Sequence, residues 1–325
     1  MIMKALSVFS GGLDSMLAAA LIQSQGIEIQ ALFFETPFFS PQKAIQSAEE
    51  IGVPFKVINI TDRHMEVLKN PRHGYGGNMN PCIDCHALMF RIAGEMLEQE
   101  SAQFIITGEV LGQRPMSQNR KALDIVETES GLKGLILRPL SAKCLSPSVP
   151  EKKGWVDRDR LMNFSGRSRK PQIEYAKKLN ITQYPSPAGG CLLTDKIFSR
   201  RLKDLFDSEL EFKLRDIELL KIGRHFRINP TCKIIIGRNS SENQTINSLS
   251  EEDDLLLQTV SVPGPTVLVS GISSPETDKL AAVMTVSYSD AGEDEVTELR
   301  LTRKNKGIIL KTKGRIKSEL KHYMI

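Results

Sequence analysis

Nowhere in this chain do apolar residues run for the roughly 20 positions a bilayer demands, so no membrane-spanning segment is expected. No export signal is expected in the first 20 residues either. Lys4 and the apolar residues after it resemble the start of one, but Gly11, Gly12 and Asp14 interrupt the run, which points to a cytoplasmic protein. The five cysteines are an odd set, which argues against a disulfide framework and for metal or redox chemistry. Internal repeats and low-complexity tracts are absent. Two familiar phosphate motifs are also lacking, Gly-x-x-x-x-Gly-Lys-Ser/Thr and Gly-x-Gly-x-x-Gly.

What is present is a soluble globular composition, 40% hydrophobic and 25% charged over 325 residues, enough for two or three domains. Near the start stands Ser10-Gly11-Gly12-Leu13-Asp14-Ser15. Ahead of it, Ala5 to Phe9 reads as a buried strand; behind it, Met16 to Gln23 is rich in helix formers. A strand, a glycine turn and a helix start aim several N–H groups and the positive end of the helix dipole at one point, which suits a phosphate. Glycine is needed where backbone must approach an anion closely. Asp14 is then free to hold the Mg²⁺ that accompanies a nucleotide.

Ile29 to Phe34 and Phe55 to Ile60 read as further strands, with a helix from Ser40-Pro41 to Glu50 between them. Asn70 to Pro81 is a glycine-rich loop, and Cys82 to Glu100 carries a helical pattern. Phe104 to Thr107 is a strand that ends at Gly108-Glu109-Val110-Leu111-Gly112-Gln113-Arg114-Pro115-Met116-Ser117-Gln118, a second polar, glycine-bearing loop at the carboxyl edge of the sheet. Alternating strands and helices imply right-handed crossovers and an α/β, doubly wound parallel sheet, with ligands beyond the carboxyl ends of its strands. A helix follows Gly166 to Pro171, and Tyr184 to Leu193 reads as the domain exit. From Arg200 a charged helical stretch leads into short β-rich pieces, Lys233–Ile236, Thr266–Val269, Val283–Tyr288 and Ile308–Leu310. The expectation is a domain of residues 1–198 followed by a smaller α+β domain of 199–325.

SGGLDS, the ALFFETPFFSPQKA segment and TGEVLGQ together resemble the catalytic domain of tRNA 4-thiouridine synthetase and, more distantly, the tRNA 2-thiouridylases. These are PP-loop ATP pyrophosphatases of the adenine nucleotide α-hydrolase-like fold. The resemblance spans roughly residues 3 to 195. It implies that ATP adenylates a uridine carbonyl in tRNA and that sulfur then displaces AMP. It also implies that Ser10, Gly11, Gly12, Leu13, Asp14 and Ser15 bind ATP and Mg²⁺, with Gly108 and Gln113 near the nucleotide or the target uridine. The flanking sequence suggests neither an N-terminal RNA-binding extension nor a rhodanese domain, so other residues are expected to hold RNA and to receive sulfur from sulfide or a cysteine desulfurase.

Lys221-Ile222-Gly223-Arg224 and Ile236-Gly237-Arg238-Asn239 are similar to the RNA-binding domain of NFACT-family proteins. That resemblance places Arg224 and Arg238 on RNA phosphate. From Arg300 to Lys321 nine Lys or Arg stand against the single acid Glu319, which fits the same partner. Arg167, Arg169 and Lys170 are further candidates for phosphate contact.

Cys82-Ile83-Asp84-Cys85-His86 has the spacing of a haem attachment site, but haem attachment normally follows export. Three thiolates from Cys82, Cys85 and Cys191 can hold three irons of a [4Fe–4S] cluster and leave one open for sulfide. Some thiouridine-forming enzymes have such a trio. Zinc on the same thiols plus His86, or a persulfide on Cys85 or Cys191 with no metal, remain alternatives. Two other functions stay open: an adenylating amidotransferase or ligase acting on a small molecule, and a non-enzymatic RNA-binding adaptor with a vestigial ATP site.

Overall fold

A computed structural model describes residues 3–186, 191–208, 211–292 and 294–325. The chain divides into two compact units, Met1–Thr194 and Asp195–Ile325. The division falls four residues before the expected one because Asp195 caps the first helix of the second unit, its carboxylate accepting the Phe198 N–H at 2.8 Å.

In the first unit β1 (Lys4–Val8) leads into α1 (Leu13–Gln23), β2 (Glu28–Glu35), α2 (Gln42–Glu50), β3 (Phe55–Asn59) and α3 (Thr61–Lys69). Then come α4 (Cys82–Glu95), β4 (Phe104–Thr107), α5 (Arg120–Ser130), β5 (Ile136–Leu137), α6 (Val149–Lys152) and α7 (Lys170–Lys178). Among the described residues the strands form a parallel sheet in the order β3-β2-β1-β4-β5. Both faces are covered, as a run of consecutive apolar residues requires. Ala5 faces a core with Leu17 and Ile22 of α1, Ala48 of α2 and Ala176 of α7. Its neighbour Leu6 faces the opposite core with Leu88 and Ile92 of α4. Burial of a side chain such as Leu6, wholly inaccessible, contributes about 1.5–3 kcal/mol. The order reverses between β1 and β4, so the loops after these two strands meet at the carboxyl edge of the sheet.

The helix expected over 82–100 stops at Glu95. Gly94 weakens its last turn, and Ser101 takes a left-handed backbone (φ 52°) that turns the chain toward β4.

The second unit holds α8 (Lys196–Asp207), α9 (Leu214–Leu219), β6 (Arg224–Asn229), β7 (Cys232–Ile236) and α10 (Ser240–Leu249). It continues with β8 (Leu255–Thr259), β9 (Val267–Gly271), α11 (Pro275–Ser287), β10 (Thr297–Arg303) and β11 (Lys306–Thr312). Its described strands form an antiparallel sheet ordered β11-β10-β8-β9-β7-β6. Val283–Tyr288, expected as a strand, lies in and just after the second half of α11. The β-branched run is overruled by a strong helix start, in which the Ser274 hydroxyl accepts the Thr277 N–H at 3.3 Å and Pro275 occupies the first turn. Ala281, Ala282, Met284 and Val286 then pack against the sheet. Among the described residues no helix is long and apolar enough to cross a membrane.

Candidate functional site

The turn after β1 is built for close approach. Gly11 has φ +73°, and a Cβ there would lie 2.5 Å from the Ala44 backbone of α2. Its carbonyl accepts the Ser47 hydroxyl at 2.7 Å, which fixes α2 against the turn. Gly12 is the extended residue before α1, and Ser15 Oγ donates to its carbonyl at 2.8 Å. Ser10 Oγ lies 3.4 Å from Ser15 Oγ. Leu13 is wholly buried in the core, so only its backbone can serve a nucleotide.

The second loop closes on the first. A Cβ at Gly108 would lie 2.4 Å from the Ser15 nitrogen, so the residue after β4 must be glycine for the strand to pass this close. Gln113 Nε2 donates to Asp14 Oδ2 at 2.8 Å, while Asp14 Oδ1 is buried with no partner. Burial raises the Asp14 carboxyl above its ordinary value, against the opposing pull of Gln113, Arg169 and Arg114. Gln172 of α7 joins the group, its Nε2 donating to Gln113 Oε1 at 3.4 Å. Sequence reasoning placed Arg114 in the second polar loop but gave it no role, and it read Gln172 only as a helix start.

The thiols gather on the first turn of α4 and on the segment before α8. Asn80 Nδ2 donates to Cys82 Sγ at 3.3 Å, and the Leu193 N–H donates to Cys191 Sγ at 3.4 Å. Burial pushes the Cys85 thiol well up, and Cys191 and then Cys82 push in the same direction. Cys191 is pushed up to about 12 by burial and by Cys82, while the Leu193 N–H and Arg114 act in opposition. Cys85 and Cys191 are thus each within electrostatic reach of Cys82 and of one another, and Arg114 is within such reach of both Cys191 and Asp14. Among the described residues, however, no three of His, Cys, Asp and Glu stand closely enough to hold a metal ion as placed. Gly189 and Gly190, expected as part of the loop before Cys191, lie outside the described residues.

His86 is engaged elsewhere. Its Nδ1 lies 2.8 Å from Glu109 Oε1, whose other oxygen accepts Arg138 Nε at 3.0 Å; Arg138 Nη1 then donates to Glu127 at 2.5 Å. Glu109 and Arg138 are both buried. Burial opposes the charge on Glu109, but Arg138 and His86 outweigh it and hold the carboxyl below its ordinary value. The Glu within TGEVLGQ was a signal that could have exposed this network.

Of the residues expected on RNA, Arg167 and Lys170 are exposed. Arg169 is half-buried beside Asp14 with its Nε shielded and unpartnered, unlike a freely exposed surface contact. In the second unit the Arg224 guanidinium lies 5.2 Å from the centre of the Tyr288 ring. Arg238 is held by Glu242 through bonds of 2.5–3.0 Å yet keeps about half of its side chain exposed.

Residues 2–143 match the family model described as thiamine biosynthesis protein (ThiI), and residues 223–324 match the NFACT protein RNA-binding domain. A probable tRNA sulfurtransferase of Caldanaerobacter subterraneus subsp. tengcongensis is 29% identical over 147 residues, 42% of this chain and 36% of that protein. One from Oceanobacillus iheyensis is 26% identical over 146 residues, 42% of this chain and 34% of the relative. The chain thus spans about a third of the length of these curated relatives. A solved 4-thiouridine synthetase–RNA complex with bound ATP aligns over 55% of this chain and 51% of that one, at 20% identity and a TM-score of 0.33.

Proposed function

We propose that this chain is an ATP-dependent tRNA sulfurtransferase that adenylates a uridine carbonyl and replaces its oxygen with sulfur, giving 4-thiouridine or 2-thiouridine. The observation that carries the reading is the glycine turn after β1, closed by the 2.8 Å Gln113–Asp14 bond and left with Asp14 Oδ1 buried and unpaired. The names of the relatives support the same reading.

In this mechanism the turn from Ser10 to Ser15 binds ATP through its backbone N–H groups and the start of α1. Asp14, its Oδ1 free, takes a share of the Mg²⁺. The uridine carbonyl oxygen attacks the α-phosphorus and pyrophosphate departs. Sulfur from the thiol site then attacks the activated carbon, and the oxygen leaves as part of AMP. Gln113 holds Asp14 in place, and the His86–Glu109–Arg138 network stiffens the junction of α4 with the loop after β4.

Cys82, Cys85 and Cys191 fit a thiolate-bound centre by donor chemistry. They lie within electrostatic reach of one another, and burial first, then mutual repulsion, disfavours the free thiolates of Cys85 and Cys191. A [4Fe–4S] cluster held by them would supply an iron open to hydrosulfide from free sulfide or a cysteine desulfurase. Arg167, Lys170, Arg224, Arg238 and the basic tail supply contacts to tRNA phosphate.

The test is nucleoside analysis of tRNA from cells lacking the gene. A thiolated uridine should disappear, returning with the intact gene and not with Asp14→Ala. An unchanged nucleoside profile would overturn the reading. Full restoration by Asp14→Ala would instead mark an RNA-binding adaptor with a vestigial ATP site.

A further inference from the structure

The antiparallel sheet of the second unit treats its two edges differently. At β6 the end of the chain covers the edge: Phe226 bridges to Met324, and the His225 carbonyl accepts the Ile325 N–H at 3.0 Å. The β6 register also shifts between Arg227 and Asn229, an irregularity that discourages further pairing. At the other edge β11 pairs with β10 without a break from Lys306 to Thr312. Among the described residues no strand lies against its far side. The strand has no proline, and Lys306 and Lys311 flank an apolar centre. In that centre Ile308 and Ile309, on opposite faces, are 63% and 55% exposed. A regular, open, apolar edge is a surface for another strand.

The hairpin fixes which backbone groups this edge offers. Lys304 and Asn305 both take left-handed backbone (φ 50° and 58°), as the favoured two-residue turn requires. Arg303 and Lys306 close that turn and exchange both backbone hydrogen bonds, so Ile308, Leu310 and Thr312 also face β10. Gly307, Ile309 and Lys311 are left to point their N–H and C=O groups outward. A strand related by a two-fold axis through Ile309 meets all three, with Ile309 against its own copy and Gly307 against Lys311. The same register sets Ile308 against Leu310 and Lys306 against Thr312. Apolar then meets apolar, and no lysine stands opposite a lysine. Lys311 is moreover paired with Glu298 at 2.8 Å.

We propose that β11 is the surface through which two copies of this chain associate, antiparallel and in the register centred on Ile309, so that their sheets join into one. A single strand edge buries less than the roughly 1,200 Å² of a standard interface, so the pair is weak and forms as concentration rises.

Sedimentation equilibrium of the full chain from about 1 to about 500 μM tests the assignment, a range that brackets a weak association. The mass should climb from one copy toward two. Ile309→Lys, which sets a lysine against itself at the axis, should stay at the mass of one copy with an unchanged melting temperature. Under mild oxidation Ile309→Cys should form an intermolecular disulfide, because the two Cα atoms of that pair stand about 5.5 Å apart. Lys306→Cys should not, since its two copies stand about 20 Å apart. Peptide mapping distinguishes these bonds from any made by the native cysteines. A parent that keeps the mass of one copy throughout, undiminished association in Ile309→Lys, or equal cross-linking of the two cysteine variants overturns the proposal. A parent that stays single while Ile309→Glu loses tRNA binding also overturns it and gives the edge to RNA.

Discussion

Gln113 Nε2 and Asp14 Oδ2 are joined across 2.8 Å, and this bond ties the loop after β4 to the turn after β1. Two segments almost a hundred residues apart in sequence thereby become one wall of a site. The same carboxylate keeps its second oxygen buried and unpaired, so in the absence of ligand it is held at a cost to stability.

Asp14→Asn should therefore stabilise the ligand-free protein at neutral pH while removing ATP binding. Burial raises the Asp14 carboxyl above its ordinary 3.8, so the folded state favours the protonated form. Its contribution to stability is present below pH 3.8 and is lost as pH climbs through the higher folded value. Asparagine still accepts the Gln113 bond without the charge. Melting curves should show the variant above the parent at pH 7, with the gap closing toward pH 3.5. A variant that melts lower at pH 7 would contradict this.

Gly108→Ala should harm the protein more than most surface glycine changes. The new methyl would sit 2.4–2.7 Å from the Asp14 and Ser15 backbone, atoms that cannot swing aside. Separation of β4 from α1 should cost about 1–3 kcal/mol in urea unfolding and lower ATP affinity with it. Unchanged stability and affinity would show that the two loops are not in contact.

Breaking the buried charge network should be costly. Arg138→Met leaves Glu109 buried with only His86 as a partner, and the expected loss is about 3–5 kcal/mol. Simultaneous Glu109→Gln should recover part of that loss, because the fully buried Glu109 no longer carries a charge and only the more exposed Glu127 is left without its arginine; a purely additive double variant would deny the coupling.

The Cys191 thiol, pushed up to about 12, should be slow to alkylate at pH 7 in the metal-free protein and should react faster as pH rises past 9. Arg114→Ala removes a favourable charge and should slow Cys191 alkylation further. Peptide mapping after timed iodoacetamide treatment reads both effects. Fast labelling at pH 7, unaffected by Arg114→Ala, would separate this thiol from the nucleotide loop.

The parts legible in sequence were those governed by local pattern. Ala5 to Phe9 had to be a doubly buried strand, and Gly11-Gly12 before a run of helix formers had to be a tight turn. The Val283–Tyr288 stretch misled because its β-branched residues sit on a helix that Ser274 and Pro275 start many positions earlier. Arg169 was read as an RNA contact because charge beside charge suggests surface. It is instead half-buried within electrostatic reach of Asp14, at the start of a helix that packs on α1, a pairing of distant segments that no local window contains. The His86–Glu109–Arg138 chain was hidden for the same reason.

The most direct measurement is anaerobic incubation of the full chain with unmodified tRNA, Mg²⁺-ATP and sulfide, followed by mass spectrometry of the nucleosides and assay of AMP. The account predicts thiouridine together with one AMP per sulfur gained, and neither product from Asp14→Ala. AMP formed without tRNA on a small-molecule acceptor, or bound ATP with no thionucleoside, would contradict it.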